Sequence, residues 1–307
     1  MIKVLQKVYE RIVAKVPWYV WWIIPGVVIL VCITMPPFIW MIRMSFYELF
    51  LSPTRSDQFV GWLNYAKYFS DPDILEGWRK LGIYVGSCMG LQMGIGFGIA
   101  LLVNKSKYEG QLLALFLIPM MVAPVATGYL WRLMLHSSYG MYHWLLMSIG
   151  LAGTGGSLLS NPDTALWAII IMDTWEWTPL VILIAVAGLK TIPKSVVEAA
   201  RIDGATKFQI FRDVTIPFVS PALLIAFLLR FMDNIRFITK IISTTGGGPA
   251  DATKTISMYL YLLCFRQFDL GYGATVGFLL LVVTIITAIV LTNIFTKHIS
   301  VKRKGAA

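Results

Sequence analysis

The chain has 307 residues, of which 57% are hydrophobic and 14% charged, with a formal net charge of +10 and a mean hydropathy of +0.72. A soluble domain carries about 25% charged residues, so water cannot be the solvent on all sides. Apolar runs of roughly 20 residues point to membrane-spanning helices and exclude a barrel of short alternating strands.

Taken from the start, Val4, Leu5, Val8, Ile12, Val13 and Val16 recur at helical spacing within residues 1–17, with Lys and Arg on the other faces. This predicts an amphipathic helix lying on the inner membrane surface. The first apolar run leads into Thr34-Met35-Pro36-Pro37 without a small-residue site, so cleavage as a signal peptide is not expected. Six spans are predicted, over 18–45 (kinked at Pro36-Pro37), 81–103, 111–135, 164–189, 218–243 and 273–295. They form one all-α integral-membrane domain, with a six-span bundle over 18–297 and a tail over 298–307.

Lys and Arg are distributed unequally between the two sides. Lys3, Lys7, Arg11, Lys15, Lys105, Lys107, the 190–212 loop and the tail after Lys297 hold most of them. The opposite side holds Arg55, Lys67, Arg79, Lys80, Lys254 and Arg266. Both termini are therefore expected in the cytoplasm. Because the positive charge gathers at span ends, it does not call for nucleic acid.

The second span places Gly82, Gly86, Gly90, Gly94 and Gly98 four residues apart, a face that lets another helix approach closely. Cys32, Cys88 and Cys264 form no close pair, and His136, His143 and His298 have no metal-ligand spacing. No catalytic residue and no metal site is expected. The glycine-rich stretch 246–255 fails as a phosphate loop: Thr253 stands where glycine must precede the lysine, and Pro249 removes a backbone donor. It is read as an external turn. A secondary transporter and a membrane enzyme stand as alternatives of other classes, the second lacking an acid–base constellation.

The loop over 190–217 is the most informative segment. Pro193 is expected to open a short helix at Lys194, and Ala199 and Ala200 favour helix. Gly204 ends it in the left-handed conformation. A second short helix is expected from Lys207 to Val214, closed by Pro217. Glu198-Ala199-Ala200, Asp203-Gly204-Ala205, Phe211 and Pro217 together resemble the EAA loop of binding-protein-dependent ABC importer permeases. The resemblance implies that these residues form the coupling helix received by an ATPase subunit.

Phe59-Val60-Gly61-Trp62-Leu63-Asn64-Tyr65, Trp175-Glu176-Trp177-Thr178-Pro179, and Gly246-Gly247-Gly248-Pro249 with Phe268-Asp269-Leu270-Gly271-Tyr272 are similar to the carbohydrate branch, of maltose F-type or glycerol-phosphate A-type. That resemblance implies a second similar permease, two ATPase copies, an extracytoplasmic substrate-binding protein and a bacterial or archaeal inner membrane. It also implies that ATP and magnesium are bound by the partners, with no cofactor in this chain. A permease for a non-carbohydrate solute is the alternative within the family.

Ionisable groups inside spans are costly and default to function. Asp173, Trp175, Glu176 and Trp177 in the fourth span, and Arg230, Asp233 and Asn234 in the fifth, are the candidates for lining a sugar site. Carboxylates and amides would bond hydroxyls, and indoles would stack on sugar rings. Arg230 and Asp233, three residues apart, are expected to pair with each other.

Overall fold

The computed structural model describes residues 18–51, 57–150 and 156–304. The surface helix expected over 1–17 lies outside them. Two compact units divide the chain.

The first unit takes the chain to Tyr68 together with 268–278. Helix α1 (Trp18–Met44) carries Pro25, Pro36 and Pro37 in its interior and runs unbroken past all three. Its apolar side chains stay exposed, Ile29 and Ile33 among them, as a lipid-facing helix requires. A short antiparallel pair follows, β1 (Tyr47–Glu48) and β2 (Gln58–Phe59), with Tyr47 opposite Phe59. Asn64 opens the next helix, α2 (Leu63–Ser70), and its amide donates to the carbonyls of Ser45 and Tyr47 at 3.0 Å each. Gly271 packs against the same turn, where a Cβ would collide with the Tyr47 carbonyl.

The second unit holds 69–267 and the chain from Leu279. Its frame is α3 (Pro72–Val103) packed on α7 (Pro162–Lys190). Both helices start in the same way: Asp71 and Asn161 accept from the backbone N–H two residues on, and proline fills the first helical position. The core gathers Ala100, Val103, Ile182, Ala185, Val186, Leu189 and Val219. Small residues set the spacing. A Cβ on Gly96 would press into Val181, and one on Gly188 into Ala222. The five-glycine stripe behaves otherwise: a Cβ at Gly82, Gly86, Gly90, Gly94 or Gly98 would meet nothing within 4 Å. Among the described residues, no side chain or backbone comes within contact of that face.

Two expected spans are broken. The third is split into α4 (Glu109–Leu117), a single 3-10 turn (Pro119–Met121) and α5 (Pro124–Met134), and the two halves are bent by 90°. Pro119 and Pro124 each lack the N–H that a continuous helix needs. Val122 and Ala123 between them are extended, the conformation favoured before proline. A short helix α6 (Met141–Ser148) follows.

The fifth span, expected over 218–243, ends earlier. Helix α10 (Ile216–Ile235) stops at Arg236, and a separate one-turn helix α11 (Thr239–Thr244) begins three residues on. The α11 turn packs on α5 so closely that a Cβ on Gly128 would collide with the Ser243 hydroxyl. Among the described residues, five helices are long and apolar enough to cross a membrane, and the α4–α5 pair supplies a sixth if counted as one span.

The loop before α10 holds α8 (Lys194–Ile202) as expected, with Gly204 at φ +79 just beyond it. Helix α9 (Lys207–Ile210) starts on a reciprocal capping box between Thr206 and Gln209. It does not end at Val214. A π-helical turn over Phe211–Thr215 carries it into α10, and Pro217 sits in the first turn of α10 instead of closing the loop. The preceding π-helical turn shifts the backbone hydrogen bonds and so makes room for the proline ring and its missing N–H.

After α11, the glycine-rich 246–255 turn leads into α12 (Ile256–Phe265). Lys254 bonds Asp251 at 2.8 Å and Asp73 at 3.0 Å. Burial alone would lower its pKa, but these two carboxylates outweigh that and hold the ammonium above the ordinary lysine value. The last helix, α13 (Leu270–Lys304), closes the described chain.

Candidate functional site

The break between α10 and α11 opens a cleft of about 330 Å³, within the size range of small-molecule sites. Four elements line it. Pro124 comes from the start of α5, and Asp173 and Trp177 from α7. Arg230, Asp233 and Asn234 come from the end of α10. Arg236, Phe237, Ile238, Thr239 and Lys240 come from the break and the start of α11. Each contribution follows from local structure. Asp173 and Trp177 are one helical step apart, as are Arg230 and Asn234. The unwound residues 236–238 let Lys240 turn back toward α7, which a continuous helix would not allow.

Asp173 is the centre of the site and has no exposed surface. Its Oδ2 accepts from Arg230 at 3.0 Å and from the Gln92 amide of α3 at 2.9 Å. Its Oδ1 accepts from Lys240 Nζ at 2.5 Å. Lys240, also fully buried, makes a second ion pair with Glu176. Arg230 donates further to Gln92 Oε1 at 3.1 Å and to Asn234 Oδ1 at 2.7 Å, and lies 4.4 Å over the Trp177 ring. Isolated charges at this depth would cost far too much. Here each is paired, and Asp173, Arg230 and Lys240 are hydrogen-bonded as well, the condition under which buried charges persist.

Of the seven residues anticipated from sequence, Asp173, Trp177, Arg230, Asp233 and Asn234 meet in the cleft. Glu176 stands behind Lys240, out of the cleft and without exposed surface. Trp175 points to another face of α7, where it meets Trp131 edge-on at 5.9 Å. The expected Arg230–Asp233 pair is the weaker one, at 3.6 Å with the Asp233 side chain 48% exposed. The dominant partner of Arg230 is Asp173, 57 positions away in sequence.

Lys240 and Gln92 were not anticipated. Both stand inside stretches read as apolar spans, and a lysine there was itself a signal. Among the described residues no group of His, Cys, Asp and Glu could hold a metal ion.

The anticipated coupling residues form a second surface. Glu198, Ala199, Asp203 and Gly204 are exposed, and Ala200, Ala205, Phe211 and Pro217 are half-buried. Ile202 and Phe208 are exposed at 86% and 68%, so apolar groups flank the short polar helix. Phe211 stacks on Phe97 of α3 with ring centroids 6.1 Å apart. This ties the loop to a spanning helix.

Broken spans around a buried polar cleft, with a protruding helical loop on one side, define a multi-pass membrane permease. Residues 92–304 match the family described as binding-protein-dependent transport system inner membrane component, and the chain belongs to that family. It is accordingly a subunit of an importer and not an enzyme.

The chain is 35% identical over 244 residues to the trehalose/maltose transport system permease protein MalF of Thermococcus litoralis, covering 78% of this chain and 79% of the relative. It is 29% identical to the sulfoquinovosyl glycerol transport system permease protein SmoG of Agrobacterium fabrum, over 89% of each. In fold it is similar to a chain of a bacterial ABC transporter involved in import of the acidic polysaccharide alginate, with a TM-score of 0.75 at 17% identity, covering 95% of this chain and 99% of the other.

Proposed function

We propose that this chain is the permease subunit of an ATP-driven importer that moves a sugar, polyol or glycoside inward by alternating access. The carrying observation is the α7–α10–α11 cleft in a chain of this family, where carboxylate, guanidinium, amide and indole groups converge. Hydroxyl-rich ligands suit such a lining. The similarity to trehalose/maltose and sulfoquinovosyl glycerol permeases supports the carbohydrate class.

Energy enters through the loop of Glu198, Ala199, Ala200, Asp203, Gly204, Ala205, Phe211 and Pro217, which docks on an ATPase partner. Two such partners hold ATP and magnesium, and an extracytoplasmic binding protein delivers the ligand. Both termini lie in the cytoplasm. A second similar permease packs on the open stripe of Gly82, Gly86, Gly90, Gly94 and Gly98, whose bare backbone admits a helix at close range.

Two measurements test this reading. The tagged wild-type chain, purified from its host membrane, should bring down an ATPase and a second permease, and Gly90→Leu should lose the second permease. In reconstituted vesicles given the binding protein and ATP, Asn234→Leu should abolish uptake of labelled sugars without disturbing the complex. Undiminished uptake in Asn234→Leu would show that the cleft is not the substrate path.

A further inference from the structure

Three cations and three carboxylates form one network at the cleft, with Glu176 set behind Lys240 and out of the lining: Arg230, Lys240 and Arg236 against Asp173, Glu176 and Asp233. Their formal charges cancel. Asp173 holds two of the cations at once, Arg230 at 3.0 Å and Lys240 at 2.5 Å. Arg236 lies at the open edge and meets Asp233 at 3.3 Å. An incoming anion could reach Arg230 or Lys240 only by displacing Asp173 from it. Asp173 would then stay buried with one of its two cations lost, which is costly. A ligand bearing only hydroxyls meets no such obstacle. It can donate to the half-exposed Asp233, accept from Arg236 and lie against Trp177 with the pairs intact.

We infer that Asp173 is the specificity-determining residue of the cleft: by occupying both Arg230 and Lys240 it keeps the site electrically neutral and restricts it to uncharged polyhydroxylated ligands, against uronates and sulfonated sugars. This rests on the reading of the cleft as the substrate site. Asp173 acts through the two cations it holds, so a charge-selective readout separates this role from a purely structural one.

The experiment is equilibrium binding of labelled glucuronate and labelled glucose to the purified complex in lipid nanodiscs. The wild type should not bind glucuronate more tightly than glucose. Asp173→Asn, which keeps the shape and removes the charge, should gain about tenfold in glucuronate affinity, with no matching gain for glucose. Asp173→Asn/Lys240→Met restores neutrality and should lose the gain. If Asp173→Asn does not yield folded complex, Asp233→Asn at the open edge must show a smaller gain of the same sign. Tighter glucuronate binding in the wild type, or no gain in the folded charge variants, overturns the inference. The two readings fail separately. Survival of sugar uptake in Asn234→Leu removes the substrate-site assignment, whereas the glucuronate measurement reports the charge of the cleft whatever the transport path.

Discussion

Lys240→Met destabilises the chain by on the order of 3–5 kcal/mol, because it leaves Asp173 and Glu176 buried with Arg230 as the sole neighbouring cation. The methionine fills most of the lysine's volume, so the loss is electrostatic and not a cavity effect. Thermal melting of the purified chain in detergent measures it. Lys240→Met/Glu176→Gln removes one charge of each sign and leaves Asp173 with Arg230 and Gln92. The double variant should melt well above the single one, giving a coupling energy of the size expected for residues in one buried network. A single variant that melts with the wild type would mean that the Lys240 pairs contribute nothing to stability. The same substitution also removes the ion pairs that hold α11 to α7, leaving it anchored only through its packing on α5. Lys240→Met should therefore impair uptake even at temperatures where it stays folded.

Gly204→Val abolishes uptake while leaving the chain in the membrane. Gly204 sits at φ +79, and a Cβ there would meet nothing within 4 Å. The effect is therefore conformational and not a steric clash. Holding an L-residue in that region costs about 1–2 kcal/mol, which the short exposed loop can relieve by changing its turn. Glu198 and Asp203 before it, and Ala205 and Phe211 after it, then no longer present one surface to the proposed ATPase partner. In vesicles containing the whole complex, ATP hydrolysis should continue and lose its response to ligand-loaded binding protein. Glu198→Arg should act in the same direction through charge. Normal, ligand-stimulated uptake in both variants would refute the coupling assignment.

Much of the structure was legible in the sequence, for local reasons. Long apolar runs specify membrane helices whatever they pack against. Pro193, Ala199, Ala200 and Gly204 encode α8 and its end with no help from neighbours, whereas the helices expected from 81 and 164 begin earlier, at Pro72 and Pro162, where Asp71 and Asn161 cap them. The intramembrane charges at 173, 176, 230 and 233 marked the region of the cleft before its geometry was visible.

The rest depended on tertiary structure. The Pro119 and Pro124 breaks were written in the chain, yet nothing local fixes a bend of 90° between two apolar halves. At Arg236–Ile238 there is no proline or glycine to signal a stop. Helix α10 ends there while Lys240 reaches two carboxylates on α7, contacts unavailable to a straight continuation. Sequence proximity favoured Asp233 as the partner of Arg230, whereas the fold brings up Asp173 from another helix, fully out of solvent, where the same charge pair interacts far more strongly than at the half-exposed Asp233. The glycine stripe shows the same division: its spacing is a property of the sequence, but only the packed structure shows that nothing among the described residues covers it. Propensity and periodicity act over a few residues and so determine the elements. Which charges meet, and which faces stay open, depends on elements far apart in the chain, and only their packing decides it.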